Sequence, residues 1–241
     1  MTTMLPLLLA AAMTSSDAIA TLLNSSASVS AKRYAEAEAI VKRDAADGKP
    51  LQQFVWGIKT KDKEYAKKLI AASSARITTL AEQTDNPLAW YLLSVEKNDL
   101  TLLRKAAERG NVQALNALGT LVAQEAMTAT GPLASNAVER ILAKSFNYFR
   151  KAAAQRDANG FINLGTCYLR GLGCKVDMPM AVACFRAAAE AGHPEGMDNL
   201  SACYELGHGV AKNARLSLFW RMKARALRGD EAAMRWLREG E

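Results

Sequence analysis

Asn163-Leu164-Gly165-Thr166-Cys167-Tyr168-Leu169-Arg170-Gly171-Leu172-Gly173 returns 36 residues later, without a gap, as Asn199-Leu200-Ser201-Ala202-Cys203-Tyr204-Glu205-Leu206-Gly207-His208-Gly209. Six of the eleven positions are identical, so the chain contains an internal repeat, and a repeat of this length signifies stacked supersecondary units. Leu164, Gly165 and Tyr168 fall on one side of a helix. The glycine lets a second helix come close, and the tyrosine supplies amphipathic area across the pair, with its hydroxyl near the turn. The Gly-x-Gly that follows stops the helix, because glycine accepts the left-handed conformation a C-cap needs.

A second marker finds further copies: a glycine, a small residue four later and a leucine eight later. It reads Gly110, Ala114, Leu118; then Gly192, Gly196, Leu200; then Gly229, Ala233, Leu237, while Arg156, Gly160 and Leu164 keep the phase with the first glycine replaced. The leucines are spaced 46, 36 and 37 residues apart. The longest interval holds Thr128-Ala129-Thr130-Gly131-Pro132, which reads as a loop. The second helix of each pair carries a packing stripe, Ala181, Phe185, Ala188, Ala189 ending at Gly192, and earlier Phe149, Ala152, Ala153 ending at Arg156. Small residues at this spacing let neighbouring helices stack closely.

Leu164-Gly165, Tyr168, Gly171, Gly173, Asp177, Ala181, Phe185, Ala188, Ala189 and Gly192 together resemble the Sel-one-like repeat, of the tetratricopeptide-related superfamily. The following copy departs from it, with Ser201 for the glycine, Asn213 for the aspartate and a second helix read as two residues longer. The resemblance covers about Arg109 to Glu241 and implies an all-α fold, a right-handed α/α superhelical solenoid of four to six stacked helix-turn-helix pairs. The last unit is partial, with a first helix over Glu231 to Arg238. Composition agrees: half the residues are hydrophobic, only six are proline, and runs of alternating β-branched residues are few.

Upstream the repeats are degenerate. Leu88 to Leu93 reads as a short helix, Lys97-Asn98-Asp99 as a tight turn, and a second helix closes with Ala106, Ala107 and Gly110. Gly48, Gln52, Trp56 and Gly57 are spaced like the marker, which sets Trp56 against Leu92. The expected organisation is a leader or capping segment over 1–30, degenerate helical pairs over 31–110 and Sel-one-like repeats over 111–241. The apolar run Leu5 to Met13 followed by Ala18-Ile19-Ala20 fits a cleaved signal peptide, but no Lys or Arg precedes Lys32, so an N-terminal capping helix competes with it. A cytoplasmic location is the expectation, with a periplasmic or secreted one as its alternative. No stretch further on is long enough to span a bilayer.

One helix pair of this kind cannot bury its own apolar face, so pairs stack and the array bends around a concave groove. The resemblance to the tetratricopeptide group implies that exposed positions of the first helices line that groove. By phase these are Gln113, Asn116, Thr120 and Gln124; Asn159, Ile162, Thr166 and Arg170; Glu195, Asp198 and Glu205; and Arg235 with Glu239. Such amide, hydroxyl and charged groups suit a protein or peptide partner, and the expected function is a scaffold or adaptor.

The formal charge of +7 is concentrated at one end, where Lys212, Arg215, Arg221, Lys223, Arg225, Arg228, Arg235 and Arg238 face only Asp230 and Glu231. With Trp220 and Trp236 this segment supports the alternative of binding single-stranded RNA or another polyanion. Against it, Glu195, Asp198 and Glu205 in the groove would repel phosphate. A hydrolase-like enzyme is the weakest alternative. His193 and His208 each sit beside a glycine at a repeat turn, Cys174 with His193 has no oxyanion-hole motif, and Gly171-Leu172-Gly173 lacks the strand and Gly-Lys-Ser/Thr of a phosphate loop. The expectation is no catalytic residue, no cofactor and no metal. Cys167, Cys174, Cys184 and Cys203 never form a C-x-x-C pair and fall where the repeat wants small apolar side chains.

Overall fold

The computed structural model describes residues 15–23, 31–128 and 134–239, and these form thirteen helices with no strand among them. The chain divides into two compact units, whose boundary falls at Ser73 and Ser74, inside α4 (Lys63–Thr84).

The first unit holds α1 (Ser15–Leu23), α2 (Ala31–Ala46), α3 (Pro50–Lys59) and the first half of α4. Ala18, Ile19 and Leu22 of α1 are almost fully buried, and α1 packs on both α2 and α3. The rest of the expected leader, residues 1–14 and 24–30, lies outside the described residues. A buried carboxylate ties this unit together. Asp44, 1% exposed, accepts from Ser15 Oγ at 2.5 Å, from Lys49 Nζ at 2.8 Å and from Arg43 Nη2 at 3.0 Å. The bonds from Lys49 and then Ser15 hold its carboxyl far below the usual carboxylate range.

The second unit is a solenoid of helix hairpins in which each helix packs on the next in order: α5 (Pro87–Lys97), α6 (Leu100–Glu108), α7 (Val112–Thr128), α8 (Ala134–Ala154), α9 (Ala158–Arg170), α10 (Met178–Glu190), α11 (Pro194–Leu206), α12 (Ala214–Leu227) and α13 (Glu231–Glu239). α12 is 14 residues long against 13 for α10, one longer rather than two, which matches the 37-residue leucine spacing at that step. Of the expected loop 128–132, Thr128 closes α7 and the rest lies outside the described residues.

Every first helix of a pair opens on a residue in the left-handed conformation. Gly110, Gly192 and Gly229 have φ of 83°, 85° and 92°, and Arg156 holds φ of 61° at the position where glycine is replaced. The same device precedes α3 at Gly48, φ 80°, and α5 at Asp85, φ 52°. Asp85 is anchored there by an ion pair with Arg109 and by Trp90 Nε1, which donates to it at 2.9 Å. This register makes Leu93, not the expected Leu92, the counterpart of Trp56.

The residue after the marker leucine is where the second helix arrives. A Cβ on Gly119 would lie 2.5 Å from the Phe149 ring, and one on Gly165 would lie 2.7 Å from Phe185. In the next pair the facing residue is Arg221, which is exposed, and the vacated space takes Ser201. Its hydroxyl donates to Ser217 O at 2.8 Å and lies 3.0 Å from Ser217 Oγ. Asp177 and Asn213 each cap the second helix that follows, accepting from Met180 N and Leu216 N at 3.0 Å, so aspartate and asparagine do the same work there. Tyr168 stacks edge-on against Phe146 with ring centroids 5.5 Å apart, and Tyr204 Oη accepts from Arg186 at 3.2 Å.

Candidate interaction surface

The first helices α7, α9 and α11 lie side by side. Of the residues expected to line their common face, Thr120, Gln124, Arg170, Glu195 and Glu205 are exposed, while Gln113, Asn116, Asn159, Thr166 and Asp198 are half-buried. Ile162 is not on a surface at all. It is 4% exposed, and its place in the groove is corrected to the core.

The physical reason is visible in its register partners. Six residues after each marker, the side chain is aimed at the turn that opens the following pair. Asn116 Nδ2 donates to Asp157 at 2.7 Å, and Asp198 accepts from Arg228 at 2.6 Å. At the middle step this position is Ile162, and the turn that opens the following pair carries His193; both are buried, at 4% and 3% exposure. Asp157 caps α9 by accepting from Gly160 N at 2.7 Å, whereas His193 makes no such bond at the start of α11. Neither ring nitrogen of His193 has a partner, and burial lowers its pKa. Thr166 likewise turns inward on its own helix, donating to Ile162 O at 3.0 Å.

Two carboxylates of the expected groove pair with cations of the expected basic patch. Arg221 pairs with Glu205, Arg228 with Asp198, and Arg225 with Asp230 at 2.6 Å. Lys223 sits over the rings of Trp220 and Phe219 at 5.2 and 5.7 Å, and Arg238 Nε donates to Met234 O at 3.3 Å. Thus three of the eight cations are already matched by carboxylates, two of them from the groove positions, which subtracts from any field offered to phosphate. Trp220 packs partly buried on the core formed by Ala181, Phe185, Leu200 and Ala224. Trp236 instead lines an open cleft with Leu216, Leu218, Phe219 and Leu237. Phase alone does not mark Leu218 as a surface residue, since the same register position, Val182, is buried in the preceding pair.

Among the described residues, no group of three or more His, Cys, Asp or Glu is placed to hold a metal ion, and no helix is long and apolar enough to cross a membrane. The thiols are shifted away from reactivity. Burial pushes Cys167 up to about 12 and Cys184 up to about 11, and Cys174, half-buried rather than core, is raised by burial and then by Asp177. A nucleophilic cysteine needs the opposite shift.

Comparison with known proteins agrees with this architecture. Residues 100–111, 138–157, 162–193 and 194–220 match the Sel1 repeat. Over 85 residues the chain is 39% identical to cytochrome c oxidase assembly factor 7 of Xenopus tropicalis, covering 35% of this chain and 37% of that protein. Over 107 residues it is 28% identical to DAP3-binding cell death enhancer 1 of Rattus norvegicus, covering 44% of this chain and 19% of that one. The chain therefore spans well under half the length of either curated relative. A protective antigen of uropathogenic Escherichia coli displaying an SLR fold superimposes with a TM-score of 0.56 at 23% identity, over 81% of this chain and 44% of that chain. A left-handed residue, a small residue, a leucine and a close-approach residue recur at fixed phase along the second unit, and its four matched segments say the same: the chain carries Sel1 repeats.

Proposed function

We propose that this chain is an adaptor that holds a protein partner against the first-helix face of α7, α9 and α11. Sel1 repeats generally mediate protein–protein interaction. The observation that carries the reading to this face is its polar composition at fixed intervals: the side chains of Thr120, Gln124, Asn159, Arg170 and Glu195 remain accessible and make no hydrogen bond or ion pair to other described residues. They stand on helices that are fixed by packing, so a partner would meet preset donors and acceptors and lose little entropy in ordering them. The names of the two curated relatives, an assembly factor and a DAP3-binding protein, point the same way. The proposal includes a cytoplasmic location.

The test is an affinity capture from native lysate, with and without nuclease, comparing the wild type with Asn159→Ala, Arg170→Ala, Glu195→Ala combined. These are surface changes, and circular dichroism should leave the two indistinguishable. A protein retained by the wild type, lost by the triple variant and indifferent to nuclease supports the adaptor reading. Equal recovery by both baits moves the contact off this face, and recovery only of nuclease-sensitive material transfers the function to polyanion binding.

A further inference from the structure

Where α12 and α13 meet, the second unit presents a face built differently from the junction before it. Val182 of α10 is 3% exposed, covered within the core that holds Met197, Leu200 and Cys203. Its counterpart 36 residues on is Leu218 of α12, which is 39% exposed, with Leu216 at 36% beside it. Together with Phe219, Trp236 and Leu237 they line a cleft of about 700 Å³, walled otherwise by Asn213 and Arg215. A concave, mostly apolar surface of this size with a cation on its wall is suited to receive a ligand.

The register indicates what. On α7, α9 and α11 the second helix of the pair approaches over Gly119, Gly165 and Ser201, and the first two lie under the rings of Phe149 and Phe185. On α13 the corresponding residue, immediately after the marker Leu237, is Arg238. An apolar helix arriving there in the same way would cover a guanidinium that has no carboxylate partner among the described residues, whereas a helix bearing a carboxylate at that point would meet it. The charge around the cleft is unmatched as well. Arg215 and Arg235 have no carboxylate partner among the described residues, while Arg221, Arg225 and Arg228 have one each.

We propose that this cleft docks an amphipathic helix of a partner protein, with its apolar stripe on Leu216, Leu218, Phe219 and Trp236 and carboxylates on its rim facing Arg215 and Arg238. This is the helix-in-groove mode of recognition, with charge setting the choice of partner. The cleft lies apart from Asn159, Arg170 and Glu195, so it stands or falls independently of the first-helix face.

The experiment uses the full chain and two labelled synthetic peptides of about five helical turns. They share leucines at i, i+3, i+4 and i+7; one is flanked by glutamates and the other by lysines. Fluorescence anisotropy at near-physiological salt should show the glutamate peptide binding at least about tenfold more tightly. Arg215→Glu with Arg238→Glu should weaken it by about tenfold or more and turn the preference toward the lysine peptide. Leu218→Ser, a change at an exposed site, should weaken both peptides, and Asn159→Ala with Arg170→Ala should weaken neither. Equal binding of the two peptides, or a preference that charge reversal does not invert, overturns the proposal. So does concentration-dependent self-association in sedimentation that Leu218→Ser abolishes, since a second copy of this chain would then be the occupant.

Discussion

The pairs α9–α10 and α11–α12 share one register, 36 residues apart, yet their interiors are packed by different means. In the first, Gly165 lies beneath Phe185, which is 1% exposed; in the second, Ser201 meets Ser217 through two hydroxyl contacts and Arg221 stands in solvent. Glycine with a ring and serine with a serine are alternative solutions to the same gap. A change at one member is therefore felt through the other, and this coupling is what substitution can break.

The largest effect is expected at the ring. Phe185→Ala removes a fully buried aromatic side chain and should cost about 3–5 kcal/mol in urea unfolding. Gly165→Ser alone forces a side chain against that ring and should cost about 1–3 kcal/mol. Combined, the two should cost less than the sum of the single changes, because the serine enters the space the ring has left. Strict additivity in that cycle would show that the two positions are not one choice.

A smaller contrast separates the turns that open the two pairs. Asp157 caps α9, and His193 holds the same place before α11 without capping it. Replacing His193 by Asp should add about 1 kcal/mol through the missing cap bond. Burial lowers the pKa of His193 in the folded state, so below the ordinary value of about 6.5 the unfolded chain takes up the proton first. The stability this neutral imidazole allows is thus complete above pH about 6.5 and declines as the pH falls toward the depressed folded value. His193→Asn should flatten that part of the pH profile; an unchanged slope would place its origin elsewhere.

The smallest effect is expected at the residue before Asp157. Arg156 holds a left-handed backbone that costs a non-glycine residue about 1–2 kcal/mol, whereas Gly192 adopts the same geometry freely. Arg156→Gly should accordingly raise stability by about 1 kcal/mol, less whatever entropy the unfolded chain regains. A destabilised Arg156→Gly would mean that the arginine side chain makes a contribution larger than the strain.

The helix pairs were legible because their determinants are local. Glycine at a left-handed turn, a small residue at a helix crossing and leucine in the core each leave a mark that recurs at fixed phase. Arg156 was recognised through phase alone. Asp85 was not, since an aspartate announces no left-handed turn until Arg109 and Trp90 are seen to hold it, and without it the Leu92–Leu93 doublet could be read either way. Periodicity also identifies a side of a helix without saying what stands opposite. Ile162 shares its phase with Asn116 and Asp198, but that side meets the next turn of the chain, and an isoleucine there is core. The pairing of the basic segment with Asp198 and Glu205 was hidden for the same reason, because its partners come from 16 and 30 residues away.

The second glycine of each Gly-x-Gly turn is a feature of another kind. A Cβ on Gly173 would fall on the carbonyl oxygen of Leu142, and one on Gly209 on that of Met178, both on the second helix of the pair before. At this seam the contact is made with main chain, which is the same whatever residue supplies it. A seam of that sort is blind to its neighbour's identity: it forbids a side chain on one strand of the join and places no demand on the other. Duplication or exchange of whole pairs can then lengthen such an array without rewriting the units on either side, so that the outward faces are free to diverge while the joint stays constant.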